Sequence, residues 1–390
     1  MDRHCAKLVF RALLIAAAMV RSRDAHAQIA VSANDGKVTL IDGVNSPRTD
    51  PQPDTVTLLD ISAKPPRVLG EVRAPTSVVG PTHSVAITPD KSLALVTAST
   101  RIDPANPRAT IPDNRVTVID LKARPPVAIK TLEAGQGASG VAINRNGTLA
   151  LVANRNEGTV SIFSISGQAV VPAGKVDFGA RDSQPSQVLF AADGRTAFVS
   201  RSAATDNRVS ILTVDGTRVE YAKRDIFTGL QPYGMDITPS GDLAVVANIG
   251  TGATGGSDTV TLVDLKANPP RSIDQLAVGP IPEGISISPN GRYVAVTVMN
   301  GTNTSPTSPF FHDFGLLKIL EIRGRKLELV AESRIGRWCQ GTGWAPGNNA
   351  VLAQCMVERA IQILSFDGKA LKPAGEIKIN GGPGGLRTAY

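Results

Sequence analysis

The sequence predicts an all-β fold: a seven-bladed β-propeller of four-stranded antiparallel blades. Three observations lead to this prediction. A two-strand hairpin pattern recurs about every 50 residues, which is the kind of self-similarity that repeat folds show. A short β-branched strand follows each hairpin, and the two ends of the chain carry complementary half-units.

Each hairpin combines an alternating strand, a turn containing Pro, Asn, Asp or Gly, and a second strand rich in Ala and Val. Clear copies are HSVAITPDKSLALVTA from His83, SGVAINRNGTLALVAN from Ser139 and EGISISPNGRYVAVTV from Glu283. Proline presets φ early in such a turn, and Gly or Asn accepts a positive φ later. Alternation on both sides of the turn indicates two antiparallel strands.

A third strand follows each hairpin and leads to a fourth. Clear third strands are VTLLDI from Val56, VTVIDL from Val116 and VTLVDL from Val260. They run into the similar turns SAKPP, KARPP and KANPP. Because proline does not fit inside a central strand, these turns should bound the outer hairpin of a blade.

The chain ends predict how the ring closes. Residues Gly384 to Tyr390 resemble a first strand that lacks a second strand, and Ile29 to Asn34 resemble a second strand that lacks a first. We therefore expect the C-terminal strand to pair with the N-terminal strands, which removes an exposed sheet edge. A β-sandwich or two smaller barrels would leave these complementary half-units unexplained.

Residues 1–27 are expected to be a secretory signal peptide, and residues 28–390 a single propeller domain. A basic start and an apolar run precede Ala25-His26-Ala27, a small-x-small cleavage pattern. The alternative is an uncleaved anchor, because Arg21 and Arg23 are unusual just before a cleavage site. We expect a periplasmic or secreted monomer with no transmembrane segment, since no later stretch approaches 18 apolar residues.

Charge and cysteine content narrow the class of protein further. Without residues 1–27 the chain would keep 36 basic and 32 acidic residues, a net charge of +4. This mild, dispersed excess predicts no nucleic-acid partner, which would need a concentrated basic face. Cys339 and Cys355 would remain and suggest one disulfide in an exported protein, although two free thiols are the alternative. Counting outward from the turn at Pro346–Asn349 places Gln340 opposite Cys355, so the cysteines are expected one step out of register.

Long insertions are expected on one face of the ring. Connections between second and third strands, and between blades, share one rim, which we call the insert rim. The insertions that fall there are Asp35–Pro53, Ser99–Asn114, Arg201–Asn207, Ile249–Asp258 and Asn300–Phe314. Val38–Ile41, inside the first of them, is also compatible with a strand of its own. One-sided insertions are typical of a binding surface in repeat folds.

The polar residues expected near that rim supply the candidate site. Arg155, Arg201 and Arg337 suit a carboxylate or phosphate through bidentate hydrogen bonds. Tyr233 and His312 are further candidate ligand-binding residues. His83 or Glu283 would be the candidate catalytic residue, as a general base. The competing interpretation is structural for each of them: arginines paired to nearby carboxylates, a histidine within a Ser/Pro/Thr-rich insertion, and polar strand ends.

The repeats resemble the YVTN-type β-propeller repeat. The closest copies are Ala150–Asn154 followed by Gly158–Ile162, and Ala244–Asn248 followed by Asp258–Asp264, although the tetrapeptide YVTN is absent. The resemblance implies a seven-bladed propeller. It groups the chain with secreted binding and surface proteins, and with seven-bladed lactonases and carboxymuconate cyclases. No stretch matches a catalytic motif of that enzyme group, so no site residue is transferred.

Two functions remain open from the sequence. The first is an exported binding protein whose insert rim binds a protein partner or a small anionic molecule. The alternative is a lactonase-like hydrolase or cyclase acting on a carboxylate-bearing small molecule at the mouth of the channel. The alternative requires His83 or Glu283 to converge with Arg155 or Arg201. No cofactor and no metal are expected, because His83 and His312 would be the remaining histidines and no HExxH, CxxC or P-loop motif occurs.

Overall fold

A computed structural model describes residues 28–80, 83–204, 206–252 and 256–389. The expected signal peptide, residues 1–27, lies outside the described residues. Within these ranges the chain forms seven four-stranded antiparallel sheets and two small hairpins. None of the helices in this part of the chain is long and apolar enough to cross a membrane.

The strands follow the predicted repeat. Blade 1 and its projecting hairpin begin the chain with β1 (Ile29–Asp35), β2 (Val38–Ile41), β3 (Val44–Pro47), β4 (Thr55–Asp60) and β5 (Arg67–Arg73). Blade 2 and a second projecting hairpin comprise β6 (Val85–Ile87), β7 (Leu93–Thr97), β8 (Thr100–Asp103), β9 (Asn106–Pro112), β10 (Arg115–Asp120) and β11 (Val127–Glu133).

Among the described residues, blades 3 to 5 have four strands each without a further hairpin. Blade 3 consists of β12 (Ala138–Ile143), β13 (Leu149–Asn154), β14 (Thr159–Ser166) and β15 (Ala169–Asp177). Blade 4 consists of β16 (Pro185–Phe190), β17 (Thr196–Arg201), β18 (Arg208–Asp215) and β19 (Arg218–Phe227). Blade 5 consists of β20 (Pro232–Ile237), β21 (Leu243–Asn248), β22 (Asp258–Asp264) and β23 (Arg271–Gly279).

Blades 6 and 7 and one last strand complete the set. Blade 6 consists of β24 (Pro282–Ile287), β25 (Tyr293–Val298), β26 (Gly315–Arg323) and β27 (Lys326–Ile335). Blade 7 consists of β28 (Cys339–Trp344), β29 (Ala350–Cys355), β30 (Ala360–Phe366) and β31 (Leu371–Lys378), and β32 (Gly382–Ala389) follows. Single 3-10 turns occur at Arg181–Ser183 and Pro346–Asn348.

The ring closes as predicted. Strand β32 pairs antiparallel with β1, with Ala30 opposite Thr388 and Ser32 opposite Leu386. Blade 1 therefore has the strand order β32-β1-β4-β5 and joins the two ends of the described chain. The seven first strands contact one another in sequence around a central channel, and β32 contacts β6 to complete the circle.

Hydrophobic packing between neighbouring blades stabilises the ring. Leu93 and Val118 of blade 2 share one buried cluster with Val141 and Phe163 of blade 3. The other face of blade 3 packs on blade 4 through a separate cluster. Burial on both faces explains why the middle strands are continuous runs of Val, Leu, Ile and Ala rather than alternating ones.

The disulfide confirms one prediction and corrects another. Cys339 and Cys355 are bonded, with their Cα atoms 3.9 Å apart. The expected offset is wrong, because Cys339 lies directly opposite Cys355. A register shift between Cys339 and Thr342 places one extra residue in β28, so that counting from the turn fails at this point.

Two of the predicted insertions form hairpins on the insert rim. The β2–β3 hairpin confirms that Val38–Ile41 is a strand, and it contacts the β8–β9 hairpin of the next blade. A buried ion pair anchors its base: Lys37 Nζ lies 2.9 Å from Asp54 and 3.1 Å from Asp35. These carboxylates outweigh burial and raise the pKa of Lys37, so the lysine remains charged.

Candidate functional site

The first strands place one equivalent side chain of each blade at the insert-rim end of the channel. The equivalent position lies two residues before the aligned core residues Val85, Met235, Ile285 and Thr342. It is occupied by His83, Tyr233, Glu283 and Gln340 in blades 2, 5, 6 and 7. Polar side chains therefore gather where the channel meets the rim that carries the hairpins; we call this end the insert mouth.

Glycines let these strands approach closely. A Cβ atom on Gly234 would lie 2.3 Å from the carbonyl oxygen of Glu283. One on Gly284 would lie 1.8 Å from the carbonyl oxygen of Gln340. Because both distances are far below any tolerated contact, only glycine allows blades 5, 6 and 7 to stand so near one another. The result is that Tyr233, Glu283 and Gln340 line adjacent parts of one wall.

Hydrogen bonds fix the backbone of this wall. Ser200 Oγ donates to the carbonyl oxygen of Tyr233 over 2.8 Å. Thr297 Oγ1 donates to the carbonyl oxygen of Gln340 over 2.5 Å and accepts the N–H of Gly284 over 3.0 Å. Each of these bonds to Tyr233 or Gln340 joins one blade to the next, so the positions of the site residues depend on the closed ring.

Arg155 reaches this wall from blade 3. It follows β13, and its guanidinium donates from Nη1 to the Tyr233 hydroxyl over 3.2 Å and from Nη2 to Gln184 Oε1 over 3.3 Å. The guanidinium carbon also lies 5.4 Å from the centre of the Tyr233 ring. Since a guanidinium has five N–H donors, these two bonds leave donors for a ligand.

Tyr233 is held as a neutral phenol. Only 4% of its surface is exposed. Burial raises its pKa above the ordinary value, and this effect outweighs the opposing charge of Arg155. Because its oxygen accepts a hydrogen bond from Arg155, its own O–H proton is free to be donated to a ligand in the channel.

Glu283 contributes a carboxyl group to the insert mouth. Gln340 Nε2 donates to Glu283 Oε2 over 2.6 Å. Burial raises the pKa of Glu283 to about 7, although the Gln340 hydrogen bond and the charge of Arg155 favour the carboxylate. At neutral pH this carboxyl group is therefore divided between its protonated and ionised forms, which suits a general acid or base.

The structure thus brings together three of the residues predicted from the sequence: Arg155, Tyr233 and Glu283. His83 occupies the equivalent rim position but is 4% exposed and also lines a cavity that opens on the opposite face. Burial, with the charge of Arg387, lowers the pKa of His83 to about 3, so its imidazole is neutral at physiological pH.

The other predicted residues lie elsewhere. Arg201 is buried, packs on the Phe178 ring and pairs with Asp206 at 3.3 Å. Arg337 is exposed and pairs with Glu358 at 3.2 Å. His312 is exposed on its insertion, where Nδ1 lies 2.9 Å from the carbonyl oxygen of Asn300. None of these contacts involves the Arg155, Tyr233 and Glu283 group.

Two residues of the insert mouth were missed by sequence reasoning. Gln340 is the blade 7 counterpart of Tyr233 and Glu283, and aligning the repeats position by position would have found it. Its Oε1 atom is buried without a hydrogen-bond partner among the described residues. Gln184 lies in a turn with positive φ before β16, and nothing in the repeat pattern points to it.

The described residues contain no group of three or more His, Cys, Asp or Glu side chains arranged to hold a metal ion. No protein-family profile and no curated sequence matches the chain.

Solved structures share the architecture. A periplasmic gluconolactonase of Pseudomonas aeruginosa has a TM-score of 0.69 and 14% identity, covering 93% of this chain and 99% of its own. A Bacteroides uniformis protein described as a candidate 6-phosphogluconolactonase has a TM-score of 0.71, with the same identity and coverage. Hydrazine synthase of Kuenenia stuttgartiensis reaches 0.61 at 16% identity, covering 80% of this chain and 91% of its own. At such identities the likeness shows the fold alone.

Proposed function

We propose that the protein is a hydrolase of small lactones or related cyclic esters, and that the insert mouth is its active site. The observation that carries the proposal is the convergence of Glu283, whose pKa is about 7, with Arg155 and Tyr233. This is the arrangement that the lactonase-like alternative required. The descriptions of two solved propellers as lactonases agree with it, but as likeness of fold only.

In the proposed reaction, the Glu283 carboxylate accepts a proton from water, and the resulting hydroxyl oxygen bonds to the lactone carbonyl carbon. The Tyr233 O–H and the free N–H groups of Arg155 stabilise the negative charge that develops on the carbonyl oxygen. Collapse of this intermediate breaks the ring C–O bond. The proton on Glu283 then passes to the leaving alkoxide, which gives the open hydroxy acid and restores the carboxylate.

Glu283 is a better proton-transfer group than His83 for this chemistry. A carboxyl group with a pKa near the working pH exchanges its proton readily in both directions. The imidazole of His83, with a pKa of about 3, is too weak a base to accept the proton of water at neutral pH. The positive charge of Arg155 also suits the carboxylate of the product, so the same mouth would bind small anionic molecules.

We also propose that the protein is exported and that its repeats are of the YVTN type. The Cys339–Cys355 disulfide supports export, because such bonds persist in oxidising compartments. The gluconolactonase of Pseudomonas aeruginosa is described as periplasmic, which agrees with this. Residues 28–390 would then be the working domain.

The test is acid release in a pH-stat with a panel of γ-lactones, δ-lactones and sugar lactones. We expect hydrolysis by the unaltered protein, and a loss of about 10²–10⁴-fold in kcat for Glu283→Gln. Glu332→Gln is the matched control, because Glu332 belongs to the same blade but is exposed on its outermost strand, β27. Equal rates for all three proteins, or no hydrolysis of any lactone, would contradict the proposal.

A further inference from the structure

A cavity opens at the end of the channel opposite the insert mouth. It has a volume of about 330 Å³ and is lined by the later parts of the first strands of blades 2 to 5 and by Arg387 of blade 1. Arg145, Ala192 and Pro239 form its edge, and all three belong to the tight turns that join first to second strands. We call this end the turn mouth, since it lies on the face opposite the insert rim.

The charged side chains that line this cavity give it a net positive charge. Arg145 and Arg387 both line it, whereas Asp236 is the acidic residue of the lining. Arg387 Nη1 lies 3.9 Å from Asp236 Oδ1, and its side chain is 38% exposed. The Asp236 carboxylate already accepts backbone N–H groups from Ile237 at 3.0 Å and from Ile287 at 2.8 Å. Arg387 therefore has hydrogen-bonding capacity left for an anion.

The walls between these charges are apolar. They are formed by the side chains Ala86, Ile87, Ile143, Phe190 and Ile237. At the inner end lies His83, whose buried Nδ1 has no hydrogen-bond partner among the described residues. A buried polar atom without a hydrogen-bond partner lowers the stability of the fold. A bound ligand with a polar group could supply the missing partner.

We infer that the turn mouth is a second ligand site, which binds a small apolar carboxylate of about the size of benzoate. The carboxylate would pair with Arg387 and Arg145, and the hydrocarbon part would lie against Phe190 and Ile237. Pockets of this kind combine apolar walls with a few polar groups that orient the ligand. The ligand class differs from that of the insert mouth, where Tyr233, Glu283, Gln340 and Gln184 supply polar walls.

The experiment is a 19F NMR titration of the purified protein with 4-fluorobenzoate. We expect saturable binding, and affinity that falls by about 10-fold or more in Arg387→Gln, because a charged hydrogen bond is lost. Arg145→Gln should also weaken binding, and it keeps the test open if Arg387→Gln does not fold, since Arg145 lies on an exposed turn. Arg195→Gln is the matched control: Arg195 is exposed on the same face in blade 4, outside the cavity lining.

The two sites can be tested separately. Glu283→Gln should retain fluorobenzoate binding, and Arg145→Gln should retain lactone hydrolysis, so failure of either proposal leaves the other standing. The uncharged analogue 4-fluorobenzamide should not compete. The inference is overturned if fluorobenzoate does not bind saturably, or if Arg155→Gln abolishes binding while Arg387→Gln and Arg145→Gln leave it unchanged.

Discussion

The two mouths of the channel are built from the same seven strands but differ in chemistry. At the insert mouth, Glu283 and Tyr233 face Arg155, which comes from a loop after a second strand. At the turn mouth, Asp236 and Arg387 lie among apolar side chains of the first strands themselves. Tyr233 and Asp236 lie three residues apart on β20 and yet belong to different mouths.

This difference shows how a repeat fold separates framework from function. Each first strand has a core residue, such as Met235, between the residue at the insert mouth, such as Tyr233, and the residue at the turn mouth, such as Asp236. This core residue is apolar in blades 2 to 6 because it packs between blades. The flanking positions are free of that constraint and can carry different groups in each blade. Loops then add further residues on the insert side, where connections vary in length.

The largest expected effect is the difference in lactone hydrolysis between variants of the two mouths' arginines. Arg155→Gln removes donors for the developing oxyanion and should lower kcat/KM for lactones by about 10²–10³-fold. Arg145→Gln, the equivalent change at the turn mouth, should leave kcat/KM unchanged. Steady-state hydrolysis rates of both variants test this. Similar losses in the two variants would mean that the mouths do not act separately.

The disulfide should matter for one mouth more than for the other. Cys355→Ser removes a bond with a sequence separation of 16 residues, which should lower the free energy of unfolding by about 3 kcal/mol. Because Cys339 precedes Gln340, lactone hydrolysis should suffer while fluorobenzoate binding persists. Urea unfolding and both functional assays measure this, with Cys339→Ser as the matched variant. An unchanged unfolding midpoint would contradict it.

The pH dependence follows from Glu283. Its carboxylate form is needed to accept the proton of water, and its pKa is about 7. Hydrolysis should therefore level off above pH 7 and fall about tenfold for each pH unit below it, which is roughly 100-fold by pH 5. A pH profile of kcat/KM tests this. The residual rate of Glu283→Gln should lack the inflection; a wild-type inflection near pH 4.5 would rule out the raised pKa.

His83 should have the smallest effect, on acid stability. Its pKa falls to about 3 in the folded protein from an ordinary value of 6.5. The unfolded chain therefore binds a proton that the folded chain does not, so stability is present above pH 6.5 and is lost as the pH falls towards 3. The loss should be about 1.4 kcal/mol for each pH unit in that range.

The measurement is urea unfolding of the unaltered protein and of His83→Gln at pH 7 and pH 5. Between pH 7 and pH 5 the free energy of unfolding should fall less in the variant than in the unaltered protein. The difference is the loss that protonation of His83 in the unfolded chain causes. An equal loss in both proteins would show that His83 is not held neutral by burial.

The architecture could be predicted from the sequence because turns and buried strands repeat. The closure was predictable as well, since Ile29–Asn34 and the C-terminal strand each lack one partner. The disulfide register was not, because a local bulge in β28 changes the count between Cys339 and Thr342. Periodicity carries no information about such an extra residue.

The sites were only partly predictable. Arg155, Tyr233 and Glu283 could each be placed near the insert rim, but their contacts join blades 3, 5 and 6 across the channel, and repeat spacing does not give distances between blades. Arg201 lies at the end of a second strand, much as Arg155 does, but its side chain pairs with Asp206 and packs on Phe178. Position in the repeat therefore does not determine which arginine reaches the channel. Asp236 and Arg387 went unnoticed because each lies in the later part of a first strand, away from the insert rim to which the insertions pointed.

The central claim is that Glu283 exchanges its proton near neutral pH. The most direct measurement is a 13C NMR titration of protein labelled at the glutamate carboxyl carbons, compared with Glu283→Gln. We predict one carboxyl resonance that titrates near pH 7 and is missing from the variant. If every glutamate resonance titrates near pH 4 to 5, about the ordinary value, the insert mouth has no proton-transfer group and the proposed hydrolase mechanism is wrong.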